Sequence, residues 1–351
     1  IVHIAPGFFV YLIAFIALDF AGYWVHRISH HYNLFWNNHI IHHSSEEFNL
    51  ACALRQSISS IIKIFAVFLL PAALLGVPGQ VIAIVAPIQL FAQFWYHTRH
   101  IKKMGWLEKV IVTPSHHRVH HAINPLYLDK NFAQIFIVWN KLFGTFQEEL
   151  PEVIPVYGIT RPVRTWNPVK INFLHLWLLI KDAWNAKRWK DKLRIWFMPL
   201  GWRPADVVEK YPVYKIEDVY NFEKYNPTYS SSLLAWCWIQ LIMLLLFTSY
   251  LFANIADIGT PGIFLYGLYI FLTVYAFTEL MDRNRYALMW EIAKNLLGYV
   301  IIFKTGDWFH ANGHLSWASD LIICWFFTST ITTGFFTMIE FKKGKSYRLA
   351  S

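Results

Sequence analysis

Histidine is the residue type whose number and spacing in this chain best fit a chemical role. Of 16 histidines, 12 fall between residues 26 and 121. Most belong to three short blocks, which read His26-Arg-Ile-Ser-His30, His39-Ile-Ile-His42-His43 and His117-Arg-Val-His120-His121. Residues three or four apart share one face of a helix, so each block can direct its imidazoles at a single point. Because imidazole is a common metal ligand, the blocks predict a metal site.

The eight histidines of these blocks exceed what one metal ion can bind, which predicts a site for two ions. An expression tag would be one uninterrupted run, whereas these blocks repeat a spacing at separated places. Imidazoles with almost no cysteine suit iron, zinc or copper. The cysteines, Cys52, Cys237 and Cys324, form no C-x-x-C pair, which excludes a cysteine-based zinc, haem-attachment or iron–sulfur motif.

The composition predicts an integral membrane protein. Of 351 residues, 56% are hydrophobic and 15% are charged, against about 25% charged in an ordinary soluble domain. The net charge of +9 comes from basic residues beside apolar stretches, so cytoplasmic loops and anionic lipid explain it better than a nucleic-acid partner. We expect an all-α, multi-pass protein of the bacterial inner membrane or the endoplasmic reticulum. Since the chain begins at Ile1 and is apolar by residue 8, we also expect natural residues to precede it.

The first apolar stretch, residues 7–25, leads directly into His26 and contains a lone acid, Asp19. Asp19 lies seven residues before His26, about two helical turns, so both share one face. An ionisable group within a membrane helix commonly marks a functional site. Asp19 is therefore predicted to orient a ligand histidine, the alternative being an acid at the level of the lipid headgroups.

Residues 58–97 form a long apolar run that is interrupted at Gly76-Val-Pro-Gly79. A membrane-spanning helix needs about 20 residues, so the run predicts two spans joined by a tight turn. Both ends of this hairpin would emerge on one side of the membrane, which would bring the three histidine blocks together. His97 would reach the same place as a ninth candidate ligand, although a lone histidine at a helix end can equally contact headgroups.

The rest of the chain divides into polar and apolar parts. Tryptophans and basic residues alternate within 166–199, which predicts helices in the membrane interface, with a charged solvent-facing helix as the alternative. Four more spans, making seven, are expected near 232–253, 262–280, 287–303 and 317–339. The predicted regions are a catalytic membrane domain (1–150), an interfacial region (151–229), C-terminal transmembrane helices (230–341) and a basic tail (342–351).

Lysine and arginine predict the orientation of these spans. The loop 254–261 has neither residue and the loop 304–316 has only Lys304, whereas Arg283, Arg285 and the basic tail lie on the opposite side. Since positive loops stay in the cytoplasm, we expect the histidine blocks on the cytoplasmic face, together with segments 26–57, 98–229 and 341–351.

These features favour oxygen chemistry on a lipid. Two irons held by imidazoles at a membrane surface can use dioxygen to break a C–H bond. The chain has no G-x-G-x-x-G after a strand, no P-loop and no serine nucleophile elbow, so its electrons must come from an external donor. A membrane zinc transporter or metal-binding protein is the alternative from another class. Transport would place ionisable residues along a pathway at mid-membrane, whereas the candidate ligands cluster at one face.

The three blocks, in this order and between membrane helices, resemble the fatty acid hydroxylase/sterol desaturase superfamily. Within it the chain is similar to the ether-lipid branch, the alkylglycerol monooxygenases. The resemblance is specific over about residues 19–147, and its strongest discriminator is the stretch from His42 through Ser44-Ser45-Glu46 to Leu54-Arg55-Gln56.

The resemblance implies a diiron centre, with zinc able to replace iron in purified protein, and the use of dioxygen and tetrahydrobiopterin. It implies hydroxylation of the ether-linked carbon of alkylglycerols, with a reduced pterin or a redox protein as donor. Other reactions of the superfamily remain open: fatty acyl or sphingolipid hydroxylation, and sterol or carotenoid desaturation or hydroxylation. The implied ligands are His26, His30, His39, His42, His43, His117, His120 and His121.

The resemblance also assigns residues around the ligands. It places Glu46 and Asn49 near the metal site and Arg55 at a polar headgroup or a cofactor. Each of these three can equally be a structural hydrogen-bonding residue.

Overall fold

The computed structural model describes residues 5–59 and 64–341, and the basic tail at 342–351 lies outside them. Within these ranges the chain is helical, with three isolated β-bridges and no strand, which confirms the all-α prediction. A 3₁₀ turn covers Gly105–Lys109 and a π-helical turn covers Phe336–Glu340. The α-helices are α1 (Phe8–His31), α2 (Asn33–Trp36), α3 (Ile40–His43), α4 (Leu50–Ala53), α5 (Phe65–Phe68), α6 (Leu70–Leu74), α7 (Gly79–Ala92), α8 (Pro114–His120), α9 (Val138–Leu142), α10 (Pro168–Asn185), α11 (Trp189–Arg194), α12 (Ala205–Lys210), α13 (Ser231–Ala253), α14 (Ile255–Met281), α15 (Ala287–Thr305), α16 (Ala311–His314) and α17 (Ala318–Phe335).

The described residues form two compact units. The N-terminal unit contains the residues up to Val163 together with Ile171–Lys224. The C-terminal unit contains Arg164–Lys170 and the residues from Tyr225 onwards. All three histidine blocks therefore belong to the N-terminal unit.

Helix α1 is the main support of the N-terminal unit. Its apolar residues Val10, Ala14 and Leu18 pack against Val81 and Val85 of α7. Its 24 residues are long and apolar enough to cross a membrane. The last two turns carry His26 and His30, so the first histidine block lies at the end of a membrane-spanning helix.

The apolar run at 58–97 reverses at Gly76–Gly79 as predicted, but its two arms are not full membrane spans. The first arm is broken into α5 and α6, of four and five residues, and residues 60–63 lie outside the described ranges. Helix α7 has 14 residues, about 21 Å at 1.5 Å per residue, against a hydrocarbon core of about 30 Å. Pro71 near the start of α6 and Pro87 within α7 each remove a backbone donor, which opposes longer helices.

The segment 166–199, which was predicted to lie along the membrane, exposes three tryptophans. Trp177 and Trp184 lie on α10, two turns apart on one face, and Trp189 begins α11; all three are exposed. Exposed indoles near lysine and arginine favour contact with lipid headgroups, and this contact stays a prediction.

The C-terminal unit consists of α13, α14, α15 and α17 around a core that contains Tyr266, Tyr269, Trp308 and Phe326. A Cβ added at Gly298 of α15 would lie 2.3 Å from the ring of Phe326. A residue without a side chain is therefore required where α15 meets α17, as is common between membrane helices.

Four described helices are long and apolar enough to cross a membrane: α1, α13, α14 and the stretch Ala318–Glu340. This establishes the multi-pass character but corrects the expected count of seven. Helix α15 has 19 residues and includes Glu291, Lys294 and Lys304. Two of these charged residues, Lys294 and Glu291, form a fully buried ion pair at 2.8 Å.

Candidate metal centre

Three elements of the N-terminal unit deliver the predicted histidines. Helix α1 ends with His26 and His30 one turn apart, while His31 turns away and is exposed. The short helix α3 begins directly after His39 and ends with His42 and His43. Helix α8 supplies the third block. Its first turn is fixed by Thr113, whose backbone N–H donates to Nδ1 of His116 at 3.3 Å, so His116 has a capping role.

The structure brings all nine predicted metal-binding histidines together, in two groups. Within each group the candidate ligand atoms lie within 4.8 Å of one another. Ring nitrogens bound to one ion at about 2.1 Å lie at most about 4.2 Å apart, so only a small contraction would close each group around an ion. The first group is His26, His30, His39, His43 and His120, and the second is His42, His97, His117 and His121.

The two groups interlock because the same helices serve both. Helix α3 gives His43 to the first group and His42 to the second. At the end of α8, His120 likewise belongs to the first group, and the next residue, His121, belongs to the second. The rings of His43 and His121 stack with centroids 4.2 Å apart. Two ions in these groups would therefore be neighbours.

Backbone carbonyls fix the tautomers of several of these rings. Nδ1 of His26 lies 2.8 Å from the carbonyl oxygen of Phe132, and Nδ1 of His120 lies 2.9 Å from that of Lys130. A carbonyl can only accept, so each Nδ1 carries the proton and donates it. Nε2 then holds a lone pair directed into its group, which is how proteins orient histidine ligands on metals.

The same holds in the second group, where Nδ1 of His42 faces the carbonyl of Cys52 at 3.2 Å and Nδ1 of His97 faces that of Gln93 at 3.0 Å. Their Nε2 atoms lie 3.3 Å apart. Both of these atoms hold lone pairs, so neither can donate to the other.

Two opposed lone pairs need a cation between them. Nε2 of His120 also needs a cation, because it is buried and has no hydrogen-bond partner within the described part of the chain. Burial of such an acceptor without a donor is costly. The donor set therefore fits a metal ion in each group.

Burial keeps the rings of His42 and His97 neutral, as metal ligation requires. Burial lowers the pKa of His42 to about 3, and the neighbouring His97 adds to that effect. Burial also lowers the pKa of His97 to about 4. The imidazoles are thus ready to bind a metal without releasing a proton at neutral pH.

Asp19 does not contact a ligand histidine, which corrects the predicted role. It is fully buried, and its oxygens accept hydrogen bonds from the backbone N–H groups of Ile135 (2.8 Å) and Phe136 (3.0 Å) and from the indole of Trp139 (2.8 Å). The seven-residue spacing from His26 placed Asp19 on the correct face, but a loop of the chain intervenes. Asp19 binds the backbone three and four positions after Phe132, whose carbonyl faces Nδ1 of His26, and we propose that it positions this ligand indirectly.

Replacing Asp19 with alanine should weaken metal binding without removing a ligand. Three donors would lose a charged acceptor, each such bond being worth about 1.5–3 kcal/mol, and the carbonyl that orients His26 would shift. We expect a lower thermal unfolding temperature and an iron affinity reduced about 10-fold, measured by chelator competition. Glu209→Ala, which removes an exposed acid from α12, is the control. An unchanged iron affinity in Asp19→Ala would show that this segment does not position the site.

The three other predicted polar residues, Glu46, Asn49 and Arg55, lie in the segment after α3. The Asn49 side chain accepts a hydrogen bond from the backbone N–H of Ala51 at 3.0 Å and caps α4. In the same helix, the carbonyl of Cys52 accepts the hydrogen bond from Nδ1–H of His42. Arg55 donates from Nη1 to the hydroxyl of Ser44 at 2.9 Å. Burial lowers the pKa of Arg55, which the nearby Glu46 partly offsets. Asn49 therefore has the structural role that was the alternative, and Arg55 stabilises the turn after α3.

A cavity of about 530 Å³ opens beside the histidines, within the 300–1,000 Å³ that small-molecule sites usually occupy. His30, His43, His120 and His121 form part of its wall, so it reaches both groups. Most of the remaining wall is apolar and includes Trp36, Ile40, Ile159, Leu174, Leu178 and Leu200. An alkyl chain fits such a cavity.

Sequence reasoning missed the carbonyls that orient the ligands and most of this wall. A carbonyl leaves no mark in a sequence, and the wall is assembled from α2, α10 and loops after residue 158. The only available signal was a set of polar residues within the interfacial region, among them Arg161, His175 and Arg203.

Comparison with known proteins identifies this arrangement. Residues 11–145 match the family model described as fatty acid hydroxylase. The matched range contains all nine histidines of the two groups.

Individual relatives narrow the comparison. The chain is 35% identical to human alkylglycerol monooxygenase over 84% of its own length and 65% of the relative's. It is also 35% identical to the Xenopus tropicalis protein of that name, over 81% of its own length and 63% of the relative's. It is 28% identical to the ornithine lipid hydroxylase OlsE of Rhizobium tropici over 45% and 48%. The chain thus spans less than two thirds of these relatives. No solved structure matches it.

Proposed function

We propose that this chain is a membrane-bound diiron monooxygenase that uses dioxygen to hydroxylate a lipid C–H bond, with the ether-linked carbon of alkylglycerols as its main target. The observation that carries the proposal is the pair of adjacent imidazole groups in the wall of an apolar cavity. Similarity to proteins named alkylglycerol monooxygenase supports the choice of substrate.

The nine histidines would hold two iron ions, one in each group, and zinc can take their place in purified protein. Bound iron would supply the oxidant that attacks the C–H bond. The protein fixes the ligand nitrogens in advance, because carbonyls hold Nδ1–H of His26, His42, His97 and His120. Such preorganisation lowers the cost of assembling the site.

The cavity would bind the lipid and exclude water. Its aliphatic and indole side chains surround an alkyl chain, while His30, His43 and His120 bring the ligand side of the first group to the same space. A dry cavity protects a strong oxidant from unproductive proton and electron transfer.

The reaction consumes one dioxygen, two electrons and two protons. One oxygen atom replaces the C–H bond with a C–OH bond on the ether-linked carbon, and the other leaves as water. The product is a hemiacetal, whose C–O bond to glycerol breaks to release a long-chain aldehyde and glycerol. The donor would be tetrahydrobiopterin or a redox protein, since the sequence contains no nucleotide-binding motif.

Product analysis tests this function. Membranes containing the protein receive 1-O-hexadecylglycerol with either reduced pterin or NADPH, and the products are identified by mass spectrometry. We expect hexadecanal that depends on pterin, is absent in His42→Ala and persists in the control His31→Ala, whose ring is exposed. A hydroxylated or unsaturated chain with its ether intact would replace the ether-lipid assignment by an acyl or sterol reaction.

We further propose that the histidine groups face the cytoplasm. The experiment uses a Cys324→Ser background, because the two other cysteines are buried. Single cysteines then replace Asp257, in the first turn of α14, and Arg285, shortly after its last residue; both positions are exposed. An impermeant thiol reagent should label them from opposite sides, with Arg285→Cys reached from the cytoplasm. Lys102→Cys in the N-terminal unit should be labelled from the same side of the membrane as Arg285→Cys. Labelling of Lys102→Cys from the side that labels Asp257→Cys would contradict the orientation.

A further inference from the structure

One cation in the cavity wall has no role in holding metal. Arg161 lines the cavity that contains His30 and His120. Its side chain makes no hydrogen bond or ion pair with any residue of the described ranges, and its Nη1 is shielded from solvent. The side chain is half-buried, and its Nη1 is the donor atom that is shielded from solvent without a hydrogen-bond partner, which is costly.

Asp182, the carboxylate whose charge acts on Arg161, is already used by another arginine. Asp182 accepts from Nε of Arg203 at 2.5 Å and from Nη2 at 2.8 Å, and this pair is buried. Both oxygens of Asp182 therefore neutralise Arg203, leaving the charge of Arg161 without a dedicated partner.

The cavity wall also contains Asp129, whose exposed carboxylate lies 3.5 Å from Nδ1 of His30 and forms no ion pair with Arg161. His175 does not compensate Arg161 either. His175 lines the same cavity, and its Nε2 lies 3.0 Å from the carbonyl oxygen of Asn33. Burial and, to a smaller extent, the charge of Arg161 lower the pKa of His175 to about 4, so the ring is neutral. Burial and the nearby Arg203 also lower the pKa of Arg161, and Asp182 offsets only part of that effect.

We propose that Arg161 is the headgroup-recognition residue of the cavity and that its ligand is an amphiphile with an anionic oxygen group. The alkyl chain lies against Ile40, Leu174 and Leu178, and the anionic group, a phosphate or a carboxylate, accepts hydrogen bonds from the guanidinium. Planar guanidinium is well matched to such groups because it can donate two parallel hydrogen bonds. This inference rests on the proposed function in one respect, that the cavity is the lipid site. It refines the substrate of that proposal, because an alkylglycerol whose glycerol carries a phosphate should bind more tightly than the neutral alkylglycerol.

Equilibrium dialysis of the purified, iron-loaded protein tests the proposal without turnover. The probes are decyl phosphate, decanol and inorganic phosphate, in a neutral detergent. Wild-type protein should bind decyl phosphate at least about 10-fold more tightly than decanol, since a hydrogen bond to a charged group is worth that factor or more. Inorganic phosphate should bind far more weakly, because it cannot fill the apolar wall.

Variants assign the preference to one residue. Arg161→Met should bind decanol as the wild type does and lose the about 10-fold preference for decyl phosphate. Arg161→Lys should keep part of it, because lysine retains the charge without the paired donors. Lys102→Leu, which removes an exposed cation outside the cavity, should keep all of it.

The proposal would be overturned if Arg161→Lys and Arg161→Met both bound decyl phosphate as tightly as the wild type does. So would binding of inorganic phosphate as tight as that of decyl phosphate, which would indicate a free-anion site. The headgroup proposal and the proposed reaction can fail separately. If Arg161→Met loses the preference for decyl phosphate, the headgroup proposal holds even when no aldehyde forms from an alkylglycerol. Aldehyde formation likewise stands when the preference does not depend on Arg161.

Discussion

Replacing His120 or His42 with alanine is expected to remove iron from the group that loses its ligand and to abolish lipid oxidation. His120 belongs to the first group and His42 to the second, so each variant tests one ion. Losing a direct ligand should weaken metal binding by more than about 100-fold, since even outer partners of a ligand contribute 10–100-fold. Elemental analysis after iron-supplemented growth should find about one ion in each variant, and product formation should fall below detection.

His31→Ala is the matched control, because His31 adjoins His30 in sequence but is exposed and belongs to neither group. It should keep the wild-type metal content. Full metal content in both His120→Ala and His42→Ala would show that the two groups are not the metal sites.

Replacing Lys294 with methionine is expected to be among the most destabilising single changes in the C-terminal unit. Lys294 and Glu291 are buried on α15, with Nζ and Oε1 2.8 Å apart. Glu291 also accepts from Nε2 of Gln240 at 3.5 Å and from Nδ2 of Asn295 at 3.4 Å. Breaking a buried pair on one side leaves an uncompensated charge, which costs about 3–5 kcal/mol.

Thermal unfolding in detergent measures this effect. Lys294→Met should lower the unfolding temperature strongly, whereas the double variant Glu291→Gln/Lys294→Met should recover most of the loss, because neither charge is then left alone. Lys304→Met, at the exposed end of the same helix, is the control and should have little effect. Equal losses in the single and double variants would show that the charge pair is not what stabilises α15.

Much of the candidate site could be predicted from the sequence because helical spacing fixes direction. Residues 26 and 30 had to share a face of α1, and they belong to one group as predicted. The blocks at 39–43 and 117–121 were also expected to point at a single place each, but each of them is divided between the two groups. The apolar runs predicted the long helices of the C-terminal unit within a few residues, as Ser231–Ala253 shows. Helix periodicity and apolar length are local properties, so sequence alone carries them.

Features that depend on distant segments were not predictable. Asp19 was expected to reach His26, yet it binds backbone N–H groups about 116 residues away in the chain. The hairpin arms were expected to span the membrane, but prolines and the break between α5 and α6 shorten them. Burial of Lys294 depends on how α13, α14 and α17 pack around α15. Each of these outcomes is decided by tertiary contacts that outweigh local pattern.

The central claim is that two interlocked histidine groups hold two iron ions beside a lipid cavity. Anomalous X-ray diffraction at the iron edge, on crystals of protein grown with supplemented iron, tests it most directly. The account predicts two iron peaks per chain, one within reach of His26, His39 and His120 and the other within reach of His42, His97 and His117. A single peak, or less than one iron per chain by elemental analysis of the same sample, would contradict it.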